Sequence, residues 1–167
     1  DETLGFTMVH AGLHPDWTIE LALDCSASLA RIFADEQQTR EFFSKSPTKP
    51  LVEEPDRADK RAWLFFALGL VTRIRYCTRA GRLITPKEVR ESGLLGPDGH
   101  PPKNSPYQPW HIHRPWQPQE KIVHGHWAVA GLTLNTHCFG LDSGAVYGGQ
   151  LTAMRLDHPE HPITQVD

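Results

Sequence analysis

The chain opens on an apolar, β-branched stretch, Leu4 to His10, that runs into His10-Ala11-Gly12. This pattern predicts a buried strand that delivers a polar residue at its end. From Thr18 to about Ala34 the apolar positions Ile19, Leu21, Leu23, Leu29, Ile32 and Phe33 recur at helical spacing, with Asp16 or Thr18 as N-cap. A shorter helix is expected over Glu36 to Phe43, and residues 44–55, with three prolines, read as a loop. A third helix starts near Arg57 and passes through Trp63-Leu64-Phe65-Phe66-Ala67-Leu68 to about Arg75. It is apolar enough to be largely buried, and its end carries arginines.

Residues 93–118 hold seven prolines and three glycines, which predicts a long loop whose Trp110 and Trp116 either line a cleft or pin the loop down. Beyond it, Lys121 to His126, Thr136 to Asp142 and Gln150 to Asp157 read as strands of a meander with glycine turns. The order is strand, helices, loop, meander: a mixed α/β half-domain without repeats or an interdomain linker.

Composition narrows the function classes. The 167 residues carry 17 Lys plus Arg against 20 Asp plus Glu, a net charge of −3. With no basic excess or long basic run, neither nucleic acid nor an anionic membrane is an expected partner, while a small phosphorylated ligand remains open. The longest apolar run, residues 62–71, is ten residues and too short to span a bilayer. Cys25, Cys77 and Cys138 are odd in number and widely spaced, which fits neither a disulfide framework nor a CxxC zinc site, so a reducing, cytoplasmic setting is expected. The chain begins Asp1-Glu2-Thr3 without an initiator Met and reads as processed or as a piece.

His10 and His126 each sit at a strand end beside glycine, where an imidazole can face a cleft; taken singly, such a histidine is more often a structural or surface residue than a metal ligand. His111-Ile112-His113 and His124-Gly125-His126 are both HxH, a chelating spacing on a strand. No carboxylate follows His126 closely enough to complete a mononuclear site, and His111 and His113 read as surface histidines of the proline loop. Arg73 and Arg75 would stand about 200° apart on a helix, so at most one can clamp a given phosphate unless the helix has already frayed there; the plainer reading is that both favour the helix C-terminus. Asp142-Ser143-Gly144 with Gly148-Gly149 brackets a tight excursion between strands, which is turn chemistry by itself. Trp63, Trp110, Trp116 and Trp127 are candidates for stacking on a base, with core packing the plainer reading for Trp63.

In order, Met8-Val9-His10-Ala11-Gly12-Leu13-His14-Pro15-Asp16-Trp17, Thr72-Arg73-Ile74-Arg75-Tyr76-Cys77, Gly125-His126-Trp127-Ala128, and Leu141-Asp142-Ser143-Gly144 with Gly148-Gly149-Gln150-Leu151-Thr152 span nearly the whole chain. Together they resemble the bacterial symmetrical diadenosine-tetraphosphate hydrolases of the calcineurin-like metallophosphoesterase superfamily. The resemblance implies a metallophosphoesterase-type β-sandwich flanked by helices, two divalent ions, commonly manganese or cobalt, and cleavage of diadenosine tetraphosphate to two ADP. Carried over by motif, His10 and His126 become catalytic ligands of the second metal, Arg73 or Arg75 polyphosphate contacts, and Trp127 and Asp142 cleft residues.

The family's GDxHG, GD and GNHD motifs do not occur in this chain, and Ser143 stands where threonine is usual. The chain therefore looks like the C-terminal part of one metallophosphoesterase domain, expected to be inactive in isolation and to leave open sheet edges. The short motifs are shared with phosphoprotein phosphatases and RNA-cap hydrolases of the superfamily, and a degenerate nucleotide-binding module is a third reading.

Overall fold

The structure, a computed structural model, describes residues 1–91, 93 and 101–167. Part of the proline-rich segment expected to be a loop, residues 94–100, thus lies outside the described residues.

The first strand, β1 (Thr7–Val9), is shorter than expected and only half-covered, with Met8 73 % exposed. Three helices follow. Helix α1 (Ile19–Phe33) starts where Thr18 accepts a bond from Leu21 N, and α2 (Glu36–Ser44) where Asp35 accepts from Gln38 N. Helix α3 spans Lys60–Arg73; its start moves in from Arg57 because the Asp59 side chain caps Ala62 N. Ile74 ends it in an extended conformation (φ −59°, ψ 137°), so Arg75 is outside the helix.

Strand β2 (Tyr76–Cys77) pairs antiparallel with β3 (Gln108–Pro109), on either side of the short helix α4 (Pro86–Glu91). A four-residue helix, α5 (Trp110–His113), follows inside the expected loop, with Trp110 fully buried. Next come β4 (Ile122–His124), β5 (Thr133–Leu134), β6 (Cys138–Gly140) and the antiparallel pair β7 (Leu151–Met154) and β8 (Ile163–Val166).

The main sheet has the order β1-β4-β6-β5. Strand β4 runs parallel to both β1 and β6, and only β5 is antiparallel to its neighbour. This corrects the expected meander: residues 125–137 cross over rather than turn back, so β4 and β6 end on the same edge. The main core lies on one face of the sheet, where Ile122 and Cys138 meet Leu13, Trp17, Phe66 and Leu70. The other face buries Phe6, Val123 and Phe139 under Met154 and Leu156, which is the period-two alternation of a sheet covered on both sides.

Two side chains lock the turn after β1 in place. Arg114, 2 % exposed at its side chain, pairs with Glu120 at 3.0 Å and donates to the carbonyl oxygens of Trp17 at 2.7 Å and His14 at 3.3 Å. Gly12 leaves space for Trp110: a Cβ there would lie 2.4 Å from Cε2 and Nε1 of that ring. Among the described residues no helix is long and apolar enough to cross a membrane.

Candidate metal centre

Parallel pairing brings the two strand-end histidines together. Val9 lies opposite His124, and Gly125 N donates to the His10 carbonyl oxygen at 2.9 Å, extending the ladder one residue past the strand ends. His126 then takes φ 66°, a left-handed conformation uncommon outside glycine, which turns its ring off the strand and toward His10. His10 Nε2 and His126 Nδ1 stand 3.1 Å apart, 116 residues apart in sequence. Two imidazole nitrogens this close hold either one proton between them or one cation facing both. Donors about 2.1 Å from one ion at a right angle are roughly 3.0 Å apart, so the pair fits neighbouring positions on a single ion.

The surroundings keep His126 in the ligand-ready neutral form. Burial lowers its pKa, Arg75, His10 and Arg73 push the same way, and Asp142 opposes them. Both arginines therefore act on this ring. The helix ends at Arg73, so the 200° separation expected of two helical residues does not apply to Arg75. Arg73 and Arg75 are both exposed.

Asp142 lies beside Gly125, its Cβ 3.9 Å from where a Gly125 Cβ would be, and its Oδ1 accepts from Gly144 N at 3.2 Å. The loop it opens is closed on itself: Ser143 Oγ donates to the Gln150 carbonyl oxygen and meets Thr152 Oγ1, and Gly149 N donates to the Gly144 oxygen. A Cβ on Gly149 would come within 2.2 Å of the Ser143 oxygen, so the glycine is needed for backbone approach. Val146 and Tyr147 stand out at its tip, 92 % and 85 % exposed.

Other expected site residues fall elsewhere. Trp127 is 5 % exposed and packs edge-on against Tyr76 at 4.6 Å; a stacking platform needs an uncovered face, and this indole is built into the core instead. Trp110 and Trp63 are also buried, and Trp116 stacks on His137 at 5.3 Å while its Nε1 donates to the His111 oxygen. His124 and His126 do not share a face: His124 is buried edge-on against Trp110, and the positive φ carries His126 away.

His111 is not a surface histidine. It is half-buried, and burial together with His124 pushes its pKa down to about 4. With His124 and Cys138 it forms a group of three that could hold an ion, among the described residues. The sequence carried no signal for this group, because it depends on which residue of β6 lies opposite β4. No carboxylate among the described residues completes such a group with His10 and His126, so one ion, and not two, fits what these residues offer.

No family model matches the chain. Curated relatives do. A symmetrical bis(5'-nucleosyl)-tetraphosphatase of Pseudomonas fluorescens is 31 % identical over 170 residues, covering all of this chain and 56 % of the relative. The proteins of the same name from Xanthomonas euvesicatoria and Xylella fastidiosa are 34 % and 32 % identical over 99 % of this chain and 49 % and 53 % of their own lengths. The chain spans about half the length of the curated relatives it matches. From end to end it is similar to one half of the bacterial symmetrical bis(5'-nucleosyl)-tetraphosphatases.

Proposed function

We propose that these residues serve the symmetrical hydrolysis of diadenosine tetraphosphate to two ADP, as the part of a metallophosphoesterase β-sandwich that supplies the ligands of one of two divalent ions, manganese or cobalt. The observation that carries this reading is the His10–His126 pair at 3.1 Å, with Arg73, Arg75 and Asp142 around it. Relatives bearing the tetraphosphatase name match this chain along its whole length.

His10 Nε2 and His126 Nδ1 would hold the ion, and burial first, then the charges of Arg75, His10 and Arg73, disfavours a proton on His126 in its place. When bound, divalent ions supply Lewis acidity and an activated water oxygen. Arg73 and Arg75 offer planar N–H forks to the non-bridging oxygens of the polyphosphate, which fixes the chain of phosphates and offsets charge growing in the transition state. Asp142, tied to its own loop by the Gly144 N–H, lies beside Gly125 and balances part of the arginine charge at His126. In the overall reaction a water oxygen adds to one of the two central phosphorus atoms. The oxygen bridging the pair leaves with the second ADP.

The ligands of the other ion and the bridging carboxylate have to come from residues beyond these 167, so the isolated chain has no turnover under this reading. Its three free cysteines, all buried, agree with a reducing cytoplasm. The test is chromatography of products from the full-length protein with manganese. ADP as the sole product, lost in both His10→Ala and His126→Ala, is expected. ATP plus AMP, or turnover unchanged in either variant, overturns the reading.

A further inference from the structure

A second set of donors lies on the helix-facing side of the sheet. One potential ligand atom from each of His111, His124 and Cys138 lies within 4.8 Å of the others. The three come from separate elements: α5, the end of β4 and the start of β6. Parallel register sets Ile122 opposite Cys138 and His124 opposite Gly140, so His124 and Cys138 leave the same face of the sheet. Gly140 provides the room. A Cβ on it would be 3.0 Å from Cε1 and 3.1 Å from Nε2 of His124, so the ring lies over backbone that carries no side chain.

The chemistry of the set is that of a ligand site. His124 is 5 % exposed and Cys138 fully buried. His124 Nδ1 lies 3.2 Å from the Gly125 oxygen; donating there leaves the Nε2 lone pair facing inward. That Nε2 is buried with no hydrogen-bond partner, and so is His111 Nδ1. A backbone carbonyl on the far ring nitrogen is the usual outer support of a metal-bound imidazole. One sulfur and two imidazole nitrogens select a borderline-soft ion over magnesium or manganese, which favour oxygen.

We propose that His111, His124 and Cys138 form a zinc site that ties α5 to β4 and β6, separate from the His10–His126 pair. Tetrahedral coordination places neighbouring donors about 3.5 Å apart, so the three atoms close in by roughly 1 Å on binding. Cys138 gives up its Sγ proton to solvent as the sulfur–metal bond forms, and both imidazoles bind neutral. This site does not depend on the tetraphosphatase reading.

Cobalt titration of the chelator-stripped full-length protein tests it, because a thiolate ligand adds a sulfur-to-cobalt charge-transfer band that a histidine and carboxylate centre lacks. One equivalent is expected to raise that band and zinc to bleach it. The band persists in His126→Ala and is lost in Cys138→Ala. In His111→Gln, a milder change at a half-buried residue, affinity falls by more than about tenfold. Far-UV circular dichroism establishes that each variant is folded before it is read. Absence of the band in the wild-type protein, or its survival in folded Cys138→Ala, overturns the proposal.

Discussion

Replacing Gly12 by alanine tests how the turn after β1 holds His10. The new methyl would sit 2.4 Å from Cε2 and Nε1 of Trp110 and 2.9 Å from Cγ2 of Ile74. Carbon contacts are most favourable at about 3.5–4.0 Å, so the indole has to retreat by roughly 1 Å. It has nowhere to go: Trp110 is fully buried, with the rings of His124, His111 and Trp116 centred 5.6, 5.8 and 6.1 Å away. Overpacking of a filled core costs about 1–3 kcal/mol. With clashes on two sides the upper end applies, about 3 kcal/mol, read as a fall in the urea midpoint at unchanged slope. Because Gly12 is two residues from His10, the proposed function adds a second readout: metal affinity and turnover of the full-length protein should fall as well. Trp110→Ala removes the ring that clashes, so the double variant should recover at least about 1 kcal/mol relative to the sum of the single changes. Gly12→Ala within about 0.5 kcal/mol of wild type, or strict additivity in the cycle, would refute the packing argument.

Three further outcomes are expected. Glu120→Ala strands the Arg114 guanidinium in the core and should cost about 3–5 kcal/mol in urea unfolding; a loss below 1 kcal/mol would show the pair to be dispensable. Burial pushes the Cys77 and Cys138 thiols up to about 12, so in the metal-free protein at pH 8 neither should react with iodoacetamide before unfolding, and rapid native labelling located by mass spectrometry would contradict this. Glu88 is held at about 2, first by the Thr85 N–H and then by Arg82, so its support of α4 is complete above the ordinary carboxylate value and is lost as pH falls through about 2. Glu88→Gln should flatten that part of the acid-unfolding profile, and an unchanged profile would remove Glu88 from the account.

The helices were legible because each carries its own punctuation. Thr18 caps α1 as read, α2 gains one residue, and α3 differs at both ends, starting under the Asp59 cap and stopping at Arg73 short of Arg75. The strands were legible in place but not in extent: β1, β4, β6 and β7 lie inside stretches that read as strands, while β2, β3, β5 and β8 gave no signal, since runs of two to four residues leave too little alternation to set boundaries. Pairings such as β2 with β3 join residues about thirty positions apart, and the parallel union of β4 with β6 replaces a turn that local composition favours. For the site, the glycines beside His10 and His126 marked each as a strand-end imidazole. Their meeting depended on the pairing of β1 with β4, and only resemblance to known hydrolases joined them in advance. The proline count of residues 93–118 concealed α5, and with it the burial of Trp110 and His111.

The two imidazoles near 3 Å stand just past the ends of adjacent parallel strands, where a peptide hydrogen bond runs from Gly125 to His10. Strand separation in any sheet is about 4.8 Å, set by main-chain chemistry that every sequence shares. The ruler that spaces the proposed ligand pair is therefore indifferent to side chains. Loops at the same edge can be rewritten, lengthened or recharged while the spacing of the two imidazoles keeps its gauge.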